Sequence, residues 1–260
     1  MLRLPLLLAI PNGGMTIPRE LAPRFALAPE DLFLESEPGA RELFAFGEAV
    51  QGRVEAEVAR AVIDLDRDPR QRPPEFPDGV VKSVTRRGVP VWTEQGFPTS
   101  DEMERLVDRH HKPFHEVLER SASRGGVRLV LDCRVMHPLS VQQPDLPMFC
   151  LVNQGDDPGQ GEETCPAPLV QAMEDALREE FSQQTLNGCE LVQRNRSLGG
   201  GYLLKRHGSG RTPWIQLHLN PRLFLGEVKP GAIPDIDREA IAGLRSKLLK
   251  ALTRFADALS

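Results

Sequence analysis

Two hydrophobic periods alternate along this chain. Short apolar runs read as buried strands at Leu4–Ile10 and at residues 58–65, 127–137 and 147–152, with a further candidate at 189–193. Residues 214–220 alternate instead. Trp214, Gln216, His218 and Asn220 fall on one side and Ile215, Leu217 and Leu219 on the other, the pattern of a half-buried strand. Between these runs the apolar positions take helical spacing. One helix is expected after Pro38, through Leu43, Phe44, Val50 and Val54, with Ser36 or Glu37 as its cap. A second opens at Thr99-Ser100-Asp101-Glu102, buries Met103, Leu106, Val107, Phe114, Val117 and Leu118, and breaks or kinks at Pro113. A third covers 166–181. The last, capped by Asp235 or Asp237, carries Ile241, Leu244, Leu248, Leu252, Phe255 and Leu259. Strands alternating with helices predict one α/β domain over residues 1–260, with helices on both faces of a mixed sheet.

The run at 127–137 matters most. Its apolar half ends in Asp132, Cys133 and Arg134, with His137 shortly after. A buried strand that ends this way delivers polar groups to the carboxyl edge of a sheet, where open α/β folds hold ligands. Other polar stretches read two ways. Asn12-Gly13-Gly14 is either a plain turn or a close backbone approach to a ligand. Asp64-Leu65-Asp66-Arg67-Asp68 is either a solvated turn or a loop that fixes the Arg67 guanidinium. Residues 80–91 suggest a hairpin broken near Arg86-Arg87-Gly88 that covers the site. Residues 153–164 and Gly199-Gly200-Gly201-Tyr202 read as loops.

Composition narrows the class. The 260 residues are 40% hydrophobic and 27% charged, as in ordinary globular proteins. Net charge is −5 and no long Lys/Arg block occurs, which excludes a nucleic-acid groove. The triplet Lys205-Arg206-His207 reads as a solvated loop. The four cysteines form no metal-ligand spacing, and Cys133 and Cys150 lie in core runs. His111 and His115 have the i, i+4 spacing of a metal pair, and His110 is adjacent, but the acid of an H-E-x-x-H motif is missing. Leu4–Ile10 is too short to span a bilayer and no cleavage site follows it, so a cytoplasmic location with no membrane partner is expected.

Taken in order, several segments resemble the N-formylglutamate amidohydrolase family. They are Ile10-Pro11-Asn12-Gly13-Gly14 with Ile17-Pro18, Glu35-Ser36-Glu37-Pro38-Gly39, and 62–69 with Asp66-Arg67. They continue with Pro113-Phe114-His115, Leu131-Asp132-Cys133-Arg134, Gly200-Gly201-Tyr202, Arg206-His207-Gly208, and Gln216-Leu217-His218-Leu219-Asn220. The resemblance implies a three-layer α/β fold of the zinc-exopeptidase (phosphorylase/hydrolase-like) type, and zinc-assisted hydrolysis of an amide on an acidic amino acid. The family pattern reads I-P-H-G-G in the first loop, D-x-H-S at the central strand and Q-x-E-L at the late strand. Two histidines and the acid of the second segment hold its metal, and the late glutamate is its general base.

This sequence departs at those positions. Asn12 and Arg134 stand for the two histidines, Val135 for the serine, His218 for the glutamate and Asp66 for a usual asparagine. Glu37, or else Glu35, is the acid that survives. Asn is a feeble zinc ligand, and Arg has no lone pair to give and stays protonated. The expectation is therefore a pseudoenzyme with no cofactor, vestigial metal positions at Asn12, Glu37 and Arg134, and a guanidinium beside Glu37. Its partner would be a protein or a small anion. The former catalytic pocket would hold Arg67, Arg134 and His218, with Asn12, Gly13, Gly14, Arg67, Gly201, Tyr202 and Lys205 left to bind substrate. Two alternatives keep a function in the pocket itself: an amidohydrolase or deformylase on N-acyl acidic amino acids with an altered site, either a metal moved to Glu37, His137 and His218 or a metal-independent cluster of Arg67, Arg134 and His218, or a sensor of acidic metabolites that uses Arg67, Arg134 and Lys205.

Overall fold

A computed structural model describes residues 3–143, 145–154, 161–186, 188–195 and 198–259. In chain order the elements are β1 (Leu4–Ile10), α1 (Pro29–Leu34), α2 (Ala40–Leu43), β2 (Val50–Glu55), α3 (Ser100–Leu106) and α4 (Lys112–Ala122). They continue with β3 (Leu129–Val135), β4 (Phe149–Val152), α5 (Ala167–Glu180), β5 (Val192–Arg194), α6 (Gly201–His207), β6 (Trp214–Leu219) and α7 (Arg238–Ala256). Short 3-10 turns and one π turn lie between them.

The strands form one sheet in the order β2-β1-β3-β6-β4-β5. β2, β1, β3 and β6 are mutually parallel, whereas β4 runs antiparallel to β6. The carboxyl ends of β1, β3 and β6 therefore open on the same edge. Strand alternation divides the core in two. Leu6, Leu8, Ile10, Leu131, Cys133, Val135, Leu217 and Leu219 pack with α2, α5 and α7. Leu7, Ala9, Val130 and Trp214 face the other way, onto α3, α4, α6 and the chain between 56 and 92. This is the expected three-layer α/β arrangement with a mixed sheet.

Several local expectations are corrected. The helix after Pro38 stops at Leu43, and Val50 and Val54 belong to β2. Gly39 at φ 80° sets the chain entry there, so neither Ser36 nor Glu37 caps it. Residues 58–65 are buried turns rather than a strand; their apolar side chains fill the second core from below. β6 is buried on both faces except at His218, which is half-buried; Gln216 on the polar face bonds the Gly200 carbonyl beside α6. Residues 201–207 are helical, which moves Lys205, Arg206 and His207 from a loop onto α6. Val117, expected on the buried face of the second helix, is exposed, because that face is carried by Phe114, His115 and Leu118. Elsewhere the cues hold. Thr99 and Glu102 make a reciprocal capping box, and Asp237 caps α7 through the Ala240 N–H. Pro113 sits in the first turn of α4, after the π turn Val107–His111, where its missing N–H costs nothing. Val84 and Pro90 bridge as the expected hairpin. The late strand falls at Val192–Arg194, shifted from 189–193. Of the acidic loop at 153–164, residues 155–160 lie outside the described residues. No described helix is long and apolar enough to cross a membrane.

Candidate functional site

At the shared carboxyl edge the second face of the sheet turns polar. Parallel register sets Asp132 beside Gln216 and Arg134 beside His218. All four side chains point away from the α5/α7 layer, two residues apart on each strand. They form one connected chain of hydrogen bonds. The His218 ring Nε2 lies 2.7 Å from Gln216 Oε1, so Nε2 carries the proton and donates. Gln216 Nε2 donates to Asp132 Oδ2 at 2.7 Å and to the Gly200 carbonyl at 3.2 Å. Asp132 in turn accepts Arg134 Nε at 2.6 Å and Nη2 at 3.0 Å.

The rest of the Arg134 guanidinium meets two more carboxylates. Nη2 lies 2.9 Å from Asp66 and Nη1 lies 3.4 Å from Glu37. Glu37 is held from three sides, because Asn12 Nδ2 donates to its Oε1 at 2.9 Å and the Val135 N–H to its Oε2 at 3.1 Å. Thus Asn12 and Arg134 both bind Glu37. Asp66, the other departure from the family pattern, binds the same guanidinium. Glu35, the other candidate acid, belongs to a separate buried group with Arg60, Asp64 and Lys82.

The electrostatics follow from this enclosure. Burial works against the Arg134 charge, but Asp132, Asp66 and Glu37 outweigh it and hold the group charged. Burial raises the Asp66 carboxyl to about 6; Arg134 opposes the rise, while Asp132 and Asp64 add to it. Burial, then the charges of Arg134 and Arg86, hold His218 well below its usual value and therefore neutral.

Other expected site residues divide. Arg67, Gly201, Tyr202 and Lys205 line the same cavity, of about 1060 Å³, together with Asn12, Arg134 and His218. Arg67 spends its fork on Asp78, at 2.7 Å. The Tyr202 hydroxyl accepts from Arg206. Gly13 and Gly14 are not on the cavity wall. A side chain at Gly14 would lie 2.4 Å from the Glu57 backbone, so this close approach is to the protein's own chain. Gly201, at φ 67°, faces Asp66: a Cβ there would lie 2.3 Å from its Oδ2.

The histidines of the second helix serve the same loop. His115 Nε2 donates to the Leu65 carbonyl at 3.0 Å and His111 Nε2 to the Arg67 carbonyl at 2.9 Å, which brackets Asp66. With its proton on Nε2, His115 Nδ1 accepts from His207 Nε2 at 2.8 Å. Burial, reinforced by neighbouring positive charge, lowers His115 to about 2 and His207 to about 4, so both rings are neutral.

The fit to a metal can now be judged from the donors. Asn12 turns its amide nitrogen to Glu37, and Arg134 offers only N–H groups. In the relocated set, Glu37 is already engaged, His137 Nδ1 accepts the Leu139 N–H at 3.2 Å, and His218 Nε2 faces Gln216. No group of three or more His, Cys, Asp or Glu among the described residues is placed to hold a metal ion. These residues do not fit the family's zinc.

A family model described as N-formylglutamate amidohydrolase matches residues 4–225. The chain belongs to the N-formylglutamate amidohydrolase family. Its structure is similar to the N-formylglutamate amidohydrolase from Ralstonia eutropha JMP134, with a TM-score of 0.73 and 23% identity over 99% of this chain and 94% of that one. The gene product Atu2144 from Agrobacterium tumefaciens is also similar, at a TM-score of 0.65 and 14% identity over 97% and 90%. At these identities the likeness is one of fold. A search of curated protein sequences found no match.

Three site residues were not singled out from sequence: Gln216, Arg60 and Arg86. The alternation of β6 places Gln216 on the His218 face, which is the one signal available for it. Asp66 was noted only as a departure; its partner could not be read from spacing.

Proposed function

We propose that this member of the family acts as a binding or partner protein and does not carry out zinc-assisted amide hydrolysis. The observation that carries the reading is the position of the Arg134 guanidinium, which lies within 3.4 Å of Glu37, Asp66 and Asp132. A cation of the chain itself meets the acid that would hold a metal. At about 4 Å, a dication and a guanidinium repel by several kcal/mol in a protein-like medium. Glu37 has both oxygens occupied by protein donors.

The general-base position supports the same reading. His218 is neutral and its basicity is suppressed, so it is a poor acceptor for a proton from water. Its protonated nitrogen is committed to Gln216. The test is hydrolysis of N-formyl-L-glutamate and a panel of other N-acyl amino acids, with and without added zinc. Formate or acid release no faster than in buffer is expected. Zinc-dependent turnover lost on Arg134→Ala would establish the altered-amidohydrolase reading instead.

A further inference from the structure

The chain carries a net charge of −5, yet its main cavity is lined by seven Arg and Lys side chains against four carboxylates. Most of these cations are spent. Arg60 pairs with Asp64 and Glu35, Arg67 with Asp78, Arg70 with Asp68, Arg87 with Asp31, and Arg134 with its three carboxylates. Arg86 differs. Among the described residues its guanidinium has no hydrogen bond and no carboxylate partner, although its backbone is anchored by the N–H donated to Glu35 Oε2 at 3.1 Å. It sits at the tip of the 84–90 hairpin, in the tight turn closed by the Gly88 N–H to the Thr85 carbonyl. That hairpin lies outside the segments on which the family resemblance rests.

We propose that Arg86 is the recognition residue for a small anion, a carboxylate or a phosphate group, bound in this cavity. The proposal rests on the reading of the site as a binding pocket. A guanidinium fork with five donors and no acceptor is suited to either anion. A second donor lies nearby in the wall. The Nδ1 of His137 accepts the Leu139 N–H, so its neutral ring carries the proton on Nε2. Arg86 lines the cavity together with His137 and His218, on the polar edge of the sheet. It is exposed at the cavity rim, where the charge of Arg60 lowers it to about 10 against the opposing pull of Asp64, Glu35 and Glu37. The Arg86 guanidinium thus lines the cavity without a partner of its own, as expected of a recognition group and not of a structural ion pair.

The test uses the full chain, with succinate and inorganic phosphate as separate probes in titration calorimetry at low and at physiological ionic strength. Saturable one-site binding of at least one probe is expected, and which probe binds separates carboxylate from phosphate recognition. Arg86→Met should weaken that binding by about tenfold or more, the usual scale for a charged hydrogen-bond donor. Arg86→Lys should fall between the two. Arg109→Met, which removes an exposed cation paired with Glu20, should bind as the wild type does. A cooperative thermal melt of Arg86→Met close to that of the wild type should show that this variant folds. Undiminished binding by Arg86→Met, equal loss in Arg109→Met, or no saturable binding of either probe would overturn the proposal. Zinc content measured on the same samples keeps the two readings apart: absent binding without zinc rejects the anion site alone, whereas about one zinc per chain rejects the degenerate metal site.

Discussion

The two faces of β1, β3 and β6 are built from alternate residues of the same strands, yet they obey different rules. On one face Leu131, Cys133, Val135, Leu217 and Leu219 are all but fully buried among the side chains of α5 and α7. Any apolar residue of similar volume serves there. On the other face Asp132, Arg134, Gln216 and His218 form a polar network in which each member supplies what the next one needs. The first face is held by area, the second by complementarity. A volume change on the first costs a cavity; loss of a charged member of the second strands a buried charge.

The largest effect should come from Arg134→Ala. It leaves Asp132, which is fully buried, and Glu37 without their shared cation, and should cost about 3–5 kcal/mol in urea unfolding. The double variant Arg134→Met with Asp132→Leu should recover part of that loss, because the partner charge goes too. Leu217→Ala on the apolar face should cost about 2–4 kcal/mol by cavity formation. The pH dependence sharpens the contrast: the Leu217→Ala loss should be equal at pH 5 and pH 8. The Arg134→Ala loss should be smaller at pH 5, where the stranded carboxylates take up protons. Equal pH behaviour of the two variants would mean that the polar face is not held by charge.

A smaller effect belongs to Asp66. Its folded value of about 6 lies above the unfolded value of about 4. Between these limits the folded state keeps a proton that the unfolded state has lost. Stability should therefore fall as pH rises from about 4 to about 6, by about 1–2 kcal/mol, and Asp66→Asn should flatten that slope. The smallest effect is expected from His218→Leu, which removes one hydrogen bond to Gln216, about 1 kcal/mol. A loss several times larger would mean that His218 anchors the network.

The apolar face was legible in the sequence because burial imposes a period, and Leu4–Ile10 and the core of 127–137 follow it. The strand at Val50–Glu55 was not, because Val50 and Val54 have helical spacing to Leu43 and nothing local shows that the chain has already turned at Gly39. Residues 58–65 misled in the opposite sense. Their apolar run records burial, and turns under a sheet are buried as thoroughly as strands. At the site, the identities of Asn12, Glu37 and Arg134 could be read against the family pattern, and the contact between Arg134 and Glu37 was expected from charge alone. That Asp66 closes the third side, and that His111 and His115 hold its loop by their Nε2 protons, depends on contacts 44–137 residues apart in the chain. The expectation that Gly13 and Gly14 face a ligand failed because the crowding that excludes a side chain at Gly14 comes from Glu57.

The central claim is that the Arg134 guanidinium stands where the family carries a metal. Its most direct test is the zinc content of the wild type and of Asn12→His with Arg134→His, both loaded with zinc and then desalted. With Glu37 the double variant regains two histidines and an acid, a complete three-ligand set, and should retain about one zinc per chain. The wild type should retain almost none. About one zinc per chain in the wild type would contradict the account.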